Sequence, residues 1–266
     1  MSVTILIPAR YASTRFPGKP LAPLRGSSGV SKTLIHRSWE AAMAVKGVDA
    51  VYVATDSEEI AAEARRIGAE VAMTAEHCRN GTERCHDALR SLPEVPDIVI
   101  NLQGDAPLTP PWFVEAIVAA MRDDPALAVA TPVLRCDGAT LANFQEDRRA
   151  GRVGGTTVVV ATTGNALYFS KEVIPYGAEP VAPDAETPVF HHVGLYGYRP
   201  AALEAYAEWQ PGPLETLEGL EQLRFLENGW PVRAVPVTAP GRVFWELNNP
   251  VDTPRIEAAL SDLGIE

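Results

Sequence analysis

Hydrophobic and polar positions in the first half of the chain follow a pattern typical of strands that alternate with helices. Uninterrupted apolar runs predict strands buried on both faces, at residues 3–7, 50–54 and 97–102. Helical spacing of apolar residues between and after these runs predicts helices at 33–45, 57–67 and 110–121. Ser57, followed by two glutamates, is a typical helix start. This order predicts an α/β fold with a mostly parallel sheet flanked by helices.

The pattern changes after about residue 126, where shorter apolar runs are separated by longer irregular stretches. Strands are expected at 128–133, 156–160, 166–169, 193–198 and 231–237, and helices at 200–208, 213–227 and 251–263. Residues 137–155 and 177–187 are polar or rich in Gly and Pro, which predicts surface loops. We therefore expect one domain, 1–266, with a smaller mixed lobe at about 127–240 and a return to the main sheet over 241–266.

Composition narrows the class of protein. The 266 residues include 46% hydrophobic and 21% charged residues, which is ordinary for a soluble enzyme. The net charge of -11 argues against a nucleic-acid partner, because phosphate backbones need a basic surface. No run approaches the roughly 18 apolar residues of a membrane span, so a cytoplasmic protein without a membrane partner is expected. Among the three cysteines, Cys78 and Cys85 lie beside His77 and His86, but this spacing matches no standard zinc site and predicts local packing.

The segment after the first strand, residues 8–19, carries the strongest chemical signal. Ligands of open α/β sheets bind at the carboxyl ends of the strands. Arg10, Arg15 and Lys19 lie just past such an end, among small residues that allow close backbone approach. Three cations with exposed amides and hydroxyls suit a triphosphate, whereas incidental basic residues are not expected there in an acidic protein. The segment is neither a Walker A loop nor a GxGxxG motif.

Further motifs follow this loop in order across nearly the whole chain. They are residues 7–21, Val53-Ala54-Thr55-Asp56, Gly81-Thr82-Glu83-Arg84, Asn101-Leu102-Gln103-Gly104-Asp105, 166–170, 194–199, Leu220-Glu221-Gln222-Leu223-Arg224 and 251–254. Together they resemble the motifs of the 3-deoxy-manno-octulosonate cytidylyltransferases (CMP-Kdo synthetases). The resemblance implies a Rossmann-like, GT-A-like nucleotidyltransferase fold and a homodimer. It also implies magnesium-dependent transfer of CMP from CTP to a 3-deoxy-ulosonic acid, with release of pyrophosphate, for bacterial surface-polysaccharide (lipopolysaccharide) synthesis.

The resemblance also assigns roles to residues. It implies a nucleotide-binding half at about 1–126, with nucleotide contacts from Pro8, Ala9, Arg10, Ser13, Arg15, Lys19, Thr55, Asp56, Arg84 and Gln103. It implies catalytic roles for Arg10, Arg15, Lys19 and Asp105, and Mg²⁺ binding by Asp105 and Asp252. For the lobe at about 127–240 it implies dimerisation and sugar binding, with sugar contacts from Arg84, Gln103, His192, Tyr196, Glu221 and Gln222. Other interpretations stay open: Asp105 as a turn residue, Asp252 as a helix cap, His192 as a strand-edge residue and Glu221 as a solvated helix residue.

Departures from the family pattern bear on the acceptor sugar. Ala106 replaces the glutamate that commonly follows the metal-binding Asp, and residues 77–80 replace Asp-His-Gln-Ser and gain a cation in Arg79. Residues 26–31 and 148–155 look like insertions. Because the catalytic motifs are kept while the sugar-side motifs differ, we hypothesise an acceptor related to Kdo, such as an amino-substituted ulosonic acid.

Three alternative functions are compatible with parts of this pattern. A nucleotidyltransferase for another base or acidic sugar would keep the same loop, since backbone groups read much of the base. A glycosyltransferase would typically carry an Asp-x-Asp motif after a strand, which the sequence lacks. A catalytically inactive nucleotide-sugar sensor is disfavoured by the joint presence of the loop cations, Asp105 and Asp252.

Overall fold

The structure, a computed structural model, describes residues 1–12, 16–153, 155–177, 181–240, 247 and 249–266. The described strands are β1 (Val3–Ala9), β2 (Pro23–Arg25), β3 (Ser31–Thr33), β4 (Ala50–Thr55), β5 (Glu70–Met73), β6 (Ile98–Leu102), β7 (Val129–Asp137), β8 (Thr156–Val160), β9 (Ala166–Ser170), β10 (Glu186–His192), β11 (Leu195–Tyr198) and β12 (Arg233–Val237). The described α-helices are α1 (Leu34–Met43), α2 (Glu58–Arg66), α3 (Gly81–Ala88), α4 (Pro111–Asp123), α5 (Gly138–Arg149), α6 (Pro200–Glu208), α7 (Pro213–Glu218), α8 (Leu223–Glu227) and α9 (Thr253–Asp262). Short 3-10 helices occur at Lys19–Leu21, Leu89–Ser91 and Pro250–Asp252.

A large central sheet, ten-stranded within the described part of the chain, organises the molecule. Its first half is parallel, in the order β5-β4-β1-β6, and Ile5 at its centre lies opposite Val51 and Ile100. The later strands continue the sheet, with β11 antiparallel to β6 and to β7, and β12 parallel to β7. The predicted α/β class is confirmed, and the mixed pairings come from the second half.

Local sequence explains why the helices start and pack where they do. The Ser57 hydroxyl accepts the Ile60 N–H and caps α2, as predicted. In the same core layer as α2, α4 buries Ile117 and Met121 against β11. Gly197 of β11 permits this approach, because a Cβ there would lie 2.5 Å from Ile117. Each fully buried side chain of this size contributes about 1.5–3 kcal/mol.

Three predictions of local structure were wrong. The predicted loop 137–155 contains α5, whose first turn is capped by the Asp137 side chain and which buries few apolar residues, chiefly Phe144. The strand β10 (Glu186–His192) was not predicted, and it takes up the last two residues of the predicted loop 177–187. The predicted helix 213–227 is two helices, because Gly219 adopts a left-handed φ of 62° and ends α7. This break places Glu221 and Gln222 in the connection between α7 and α8.

The last helix packs near the start of the chain rather than on the second half. Ile256 and Leu260 of α9 join Leu24, Leu34 and Leu247 in one buried cluster. The expected insertion at 26–31 is the tip of the β2–β3 hairpin, against which α9 packs. No helix among the described residues is long and apolar enough to cross a membrane.

Candidate active site

A cleft opens where β1 and β6 end at the same edge of the sheet. Its lining residues come from the loop after β1, from the turn after β6 and from the start of α3. They are Pro8, Ala9, Arg10, Lys19, Pro20, Asn80, Gly81, Arg84, Gln103, Gly104 and Asp105. Gly104 lets the two segments meet, because a Cβ at this position would lie 2.7 Å from the Pro8 carbonyl oxygen. The topology thus brings the predicted phosphate loop beside the predicted metal ligand.

Lys19 and Asp105 form the charged centre of the cleft. The Lys19 Nζ lies 2.6 Å from the Asp105 Oδ2, and the two side chains are 17% and 24% exposed. Gly18, with a φ of 67°, turns the chain into the 3-10 helix that starts with Lys19. The turn before Asp105 is fixed by the Ser38 hydroxyl, which donates to the Gly104 carbonyl at 2.9 Å. A cation and a carboxylate are therefore held ready at one place in the cleft.

The Asp105 carboxylate has the chemistry that a magnesium site needs. Mg²⁺ prefers hard oxygen ligands and is often held by one or two carboxylates together with substrate phosphates. A partly exposed carboxylate that already attracts a cation fits this role. The Leu247 N–H donates to the Asp105 carbonyl, so Leu247, five residues before Asp252, lies beside this turn. Asp252 accepts the Asn249 N–H, and this hydrogen bond belongs to the capping box of the 3-10 helix Pro250–Asp252 rather than to a side-chain cap of α9. Its metal role stays a prediction.

The nucleotide-side residues are joined by a buried ion pair. Arg84 donates to Asp56 at 2.9 Å and to the Thr74 hydroxyl at 2.5 Å, and 3% of its side chain is exposed. Thr55 is also buried, and its hydroxyl accepts the Ser57 N–H. Arg84 therefore lines the cleft while its guanidinium holds α3 against the end of β4.

The start of α3 is tied to the second half of the chain through Glu221. The Glu221 carboxylate accepts the Thr82 N–H at 3.0 Å and the Gln103 side-chain amide at 3.4 Å. Burial raises the pKa of Glu221. Glu221 is therefore a part-buried link between the lobe and the cleft, and the interpretation as a solvated helix residue is wrong.

The remaining sugar-side residues form a polar cluster behind the cleft. The Tyr196 hydroxyl donates to the Gln222 carbonyl oxygen at 3.0 Å, and the His192 ring lies 5.4 Å from the Tyr196 ring. The His192 Nε2 shares a hydrogen bond of 3.0 Å with the Thr131 hydroxyl. Burial and the neighbouring His191 lower the pKa of His192 to about 3, so the ring is neutral near pH 7. It can hydrogen-bond a hydroxyl but supplies no charge for a sugar carboxylate.

The structure also shows cleft residues that the sequence did not single out. Asn80 caps α3 by accepting the Glu83 N–H at 2.8 Å, and its position three residues before a glutamate is a known helix-start signal. The Arg79 carbonyl, just before it, accepts from the Arg10 guanidinium at 3.5 Å. The predicted residues Ser13 and Arg15 lie outside the described residues.

Comparisons with known proteins identify the family. Residues 4–235 match the cytidylyltransferase family. A 3-deoxy-manno-octulosonate cytidylyltransferase of Maricaulis maris (strain MCS10) is 46% identical over 99% of both chains. An 8-amino-3,8-dideoxy-manno-octulosonate cytidylyltransferase of Shewanella halifaxensis (strain HAW-EB4) is 38% identical over 98% of this chain and 99% of its own length. A solved CMP:2-keto-3-deoxy-manno-octonic acid synthetase in complex with CTP is 35% identical, with a TM-score of 0.83 over 99% of this chain and 100% of its own.

The chain therefore belongs to the cytidylyltransferase family. Within that family it is similar over its whole length to the Kdo cytidylyltransferases, which confirms the resemblance read from the motifs. It is an enzyme of the nucleotidyltransferase class.

Proposed function

We propose that the protein transfers CMP from CTP to the anomeric hydroxyl of Kdo and releases pyrophosphate. The observation that carries this proposal is the convergence of Lys19, Asp105 and Gln103 in one cleft. Full-length similarity to named Kdo cytidylyltransferases supports the choice of substrates. The product would be an activated sugar for surface-polysaccharide synthesis.

The reaction is a direct displacement at phosphorus. The anomeric oxygen forms a bond to the α-phosphorus of CTP, the bond to the pyrophosphate oxygen breaks, and the hydroxyl proton is released. Arg10 and Lys19 lie at the carboxyl end of β1, where they can neutralise charge on the transferring and leaving phosphates. Arg15 has the same role by resemblance. Asp105 and Asp252 would hold Mg²⁺, which supplies further charge neutralisation at the phosphates when bound.

The acceptor is assigned to the side of the cleft formed by the second half of the chain. Gln103 points there, since its amide bonds the Glu221 carboxylate. Behind it, Gln222 offers an amide nitrogen that is buried and has no partner among the described residues. Unpaired buried amides cost about 1–3 kcal/mol, so a sugar hydroxyl or an ordered water at this place would be favourable. These groups read hydroxyls, and the cations of the cleft can hold the sugar carboxylate.

A homodimer stays a prediction from the resemblance. Tyr198 and Tyr206, two aromatic residues of the lobe to which the resemblance assigns dimerisation, are fully buried in the chain's own core. A dimer would therefore form largely through other residues. Size-exclusion chromatography with light scattering tests this prediction, and the expected mass is near twice 28.6 kDa.

A substrate panel tests the proposed activity. Pyrophosphate release is measured with CTP, UTP, GTP or TTP, Mg²⁺, and either Kdo or its 8-amino-8-deoxy analogue. We expect CTP with Kdo to have the highest kcat/KM, and Asp105→Asn to abolish release while CTP binding is retained. Preference for the amino sugar, for which the Shewanella halifaxensis relative is named, would support the altered acceptor instead. An inert wild type that binds CTP would support a sensor.

A further inference from the structure

Arg224 lies buried behind the wall of the cleft, with 1% of its side chain exposed. Its guanidinium donates to both carboxylate oxygens of Glu215, at 2.6 and 2.7 Å, and stacks over the Tyr206 ring at 3.9 Å. A further contact reaches Glu83 of α3 at 3.3 Å. Because breaking a buried ion pair leaves an uncompensated charge, such a cluster holds its members in place.

A second cation, Arg79, contacts Glu83 from the solvent side. The Arg79 guanidinium donates to Glu83 at 2.7 Å, and the Arg79 N–H donates to the same carboxylate at 2.8 Å. The Arg79 side chain is 56% exposed, whereas that of Glu83 is 12% exposed. Glu83 thus lies between an exposed arginine next to the cleft and a buried arginine of the lobe.

The first turn of α3, which Glu83 belongs to, forms part of the cleft wall. Gly81 packs so closely on Gln103 that a Cβ would lie 3.1 Å from the Gln103 Nε2. Arg84 bridges from the same turn to Asp56 at 2.9 Å. A shift of this turn would therefore displace groups on both the nucleotide and the acceptor side.

We propose that Arg224, acting through Glu83, is a positioning residue that fixes the first turn of α3 and hence the wall against which CTP binds. Arg224 does not line the cleft, so it is assigned no direct substrate contact. A hydrogen bond of 2.9 Å from the Asn80 amide to the Tyr206 hydroxyl ties the same turn to the same cluster. The inference rests on the proposed function and adds a residue to it.

The variants Glu83→Gln and Arg224→Lys test this role. For each we measure kcat, KM for CTP, the Kd for CTP by calorimetry and the Tm. We expect both variants to raise KM and Kd about fivefold or more, because small displacements of positioning groups are felt at the site. The double variant should have no higher Kd for CTP than Glu83→Gln alone, since Arg224 acts through Glu83. Arg149→Lys, in an exposed pair with Glu146 on α5, is the control and should change neither constant.

A merely structural role gives a different result. A lower Tm with KM and Kd within about twofold of wild type in both variants would overturn the proposal. If Arg224→Lys does not fold, the KM and Kd of Glu83→Gln for CTP test the proposal, because this variant leaves the Arg224–Glu215 pair intact. If wild type binds CTP but transfers no CMP to Kdo, the proposed function fails, while the comparison of CTP Kd values still tests the role of Arg224.

Discussion

Replacement of Lys19 by methionine separates the catalytic role of the cleft from its contribution to stability. The substitution removes the ammonium that lies 2.6 Å from Asp105 and keeps a side chain of similar length. Loss of one preorganised donor to a developing charge typically lowers kcat by about 10²–10³, or about 2.7–4 kcal/mol. We therefore expect a loss of this size in the rate of pyrophosphate release from CTP and Kdo.

The expected loss of stability is much smaller. Both partners keep some exposure, 17% for Lys19 and 24% for Asp105, so water can hydrate the carboxylate that remains. Ion pairs that keep contact with water are worth about 1 kcal/mol or less. This corresponds to a Tm shift of roughly 2–4 °C in a chain of this size. Thermal unfolding and steady-state kinetics on the same preparation give the shift in Tm and the change in kcat.

Lys32→Met provides a matched control. Lys32 pairs with Glu40 at the same distance, 2.6 Å, with side chains 19% and 36% exposed, and does not line the cleft. It should shift the Tm by a similar amount and leave kcat near wild type. If Lys19→Met and Lys32→Met differ in kcat by less than about threefold, the electrostatic role assigned to Lys19 is refuted.

Three further predictions concern the cleft glycine Gly81, the sheet glycine Gly197 and the buried histidine His192. Gly81→Ala should raise KM roughly threefold to tenfold by pushing on Gln103, with Tm unchanged, whereas Gly197→Ala should lower the free energy of unfolding by about 1–3 kcal/mol because its Cβ would lie 2.7 Å from the Met121 sulfur. Equal KM values for Gly81→Ala and wild type would contradict the first of these. Since the folded pKa of His192 is about 3 and its ordinary value 6.5, the unfolded chain binds more protons and stability falls as pH drops below 6.5. At pH 5 the resulting loss in the free energy of unfolding is about 2 kcal/mol. In denaturant unfolding between pH 7 and pH 5, His192→Gln should remove this part of the pH dependence. If the free energy of unfolding falls as steeply with pH in His192→Gln as in wild type, His192 is not kept neutral by burial.

The parallel half of the fold and the loop after β1 could be predicted from sequence because their signals are local. Strands buried on both faces must be apolar throughout, as in β1 and β6, and ligands of such sheets bind at the strand ends. The same rule explains why Lys19, which follows β1, lies beside Asp105, which follows β6.

Elements whose polar residues are satisfied inside the protein could not be predicted in this way. Helix α3 carries Thr82, Glu83 and Arg84 in sequence, and each has a hydrogen-bonding or ion-pair partner inside the protein, although Glu83 also pairs with the exposed Arg79. It therefore lacks the apolar stripe that reveals a helix. The break at Gly219 was missed because glycine within a helical pattern is tolerated, and only its left-handed φ ends α7. The part-buried position of Glu221 follows from that break.

The proposed reaction transfers the α-phosphate of CTP, with its cytidine, to Kdo. Incubation of the enzyme with Kdo, Mg²⁺ and CTP labelled with ³²P at either the α or the γ position tests this directly. We predict that the α label appears in a CMP-sugar whose formation requires Kdo, and that the γ label appears in pyrophosphate. Recovery of the α label as free CMP, of the γ label as inorganic phosphate, or of unchanged CTP would contradict the account.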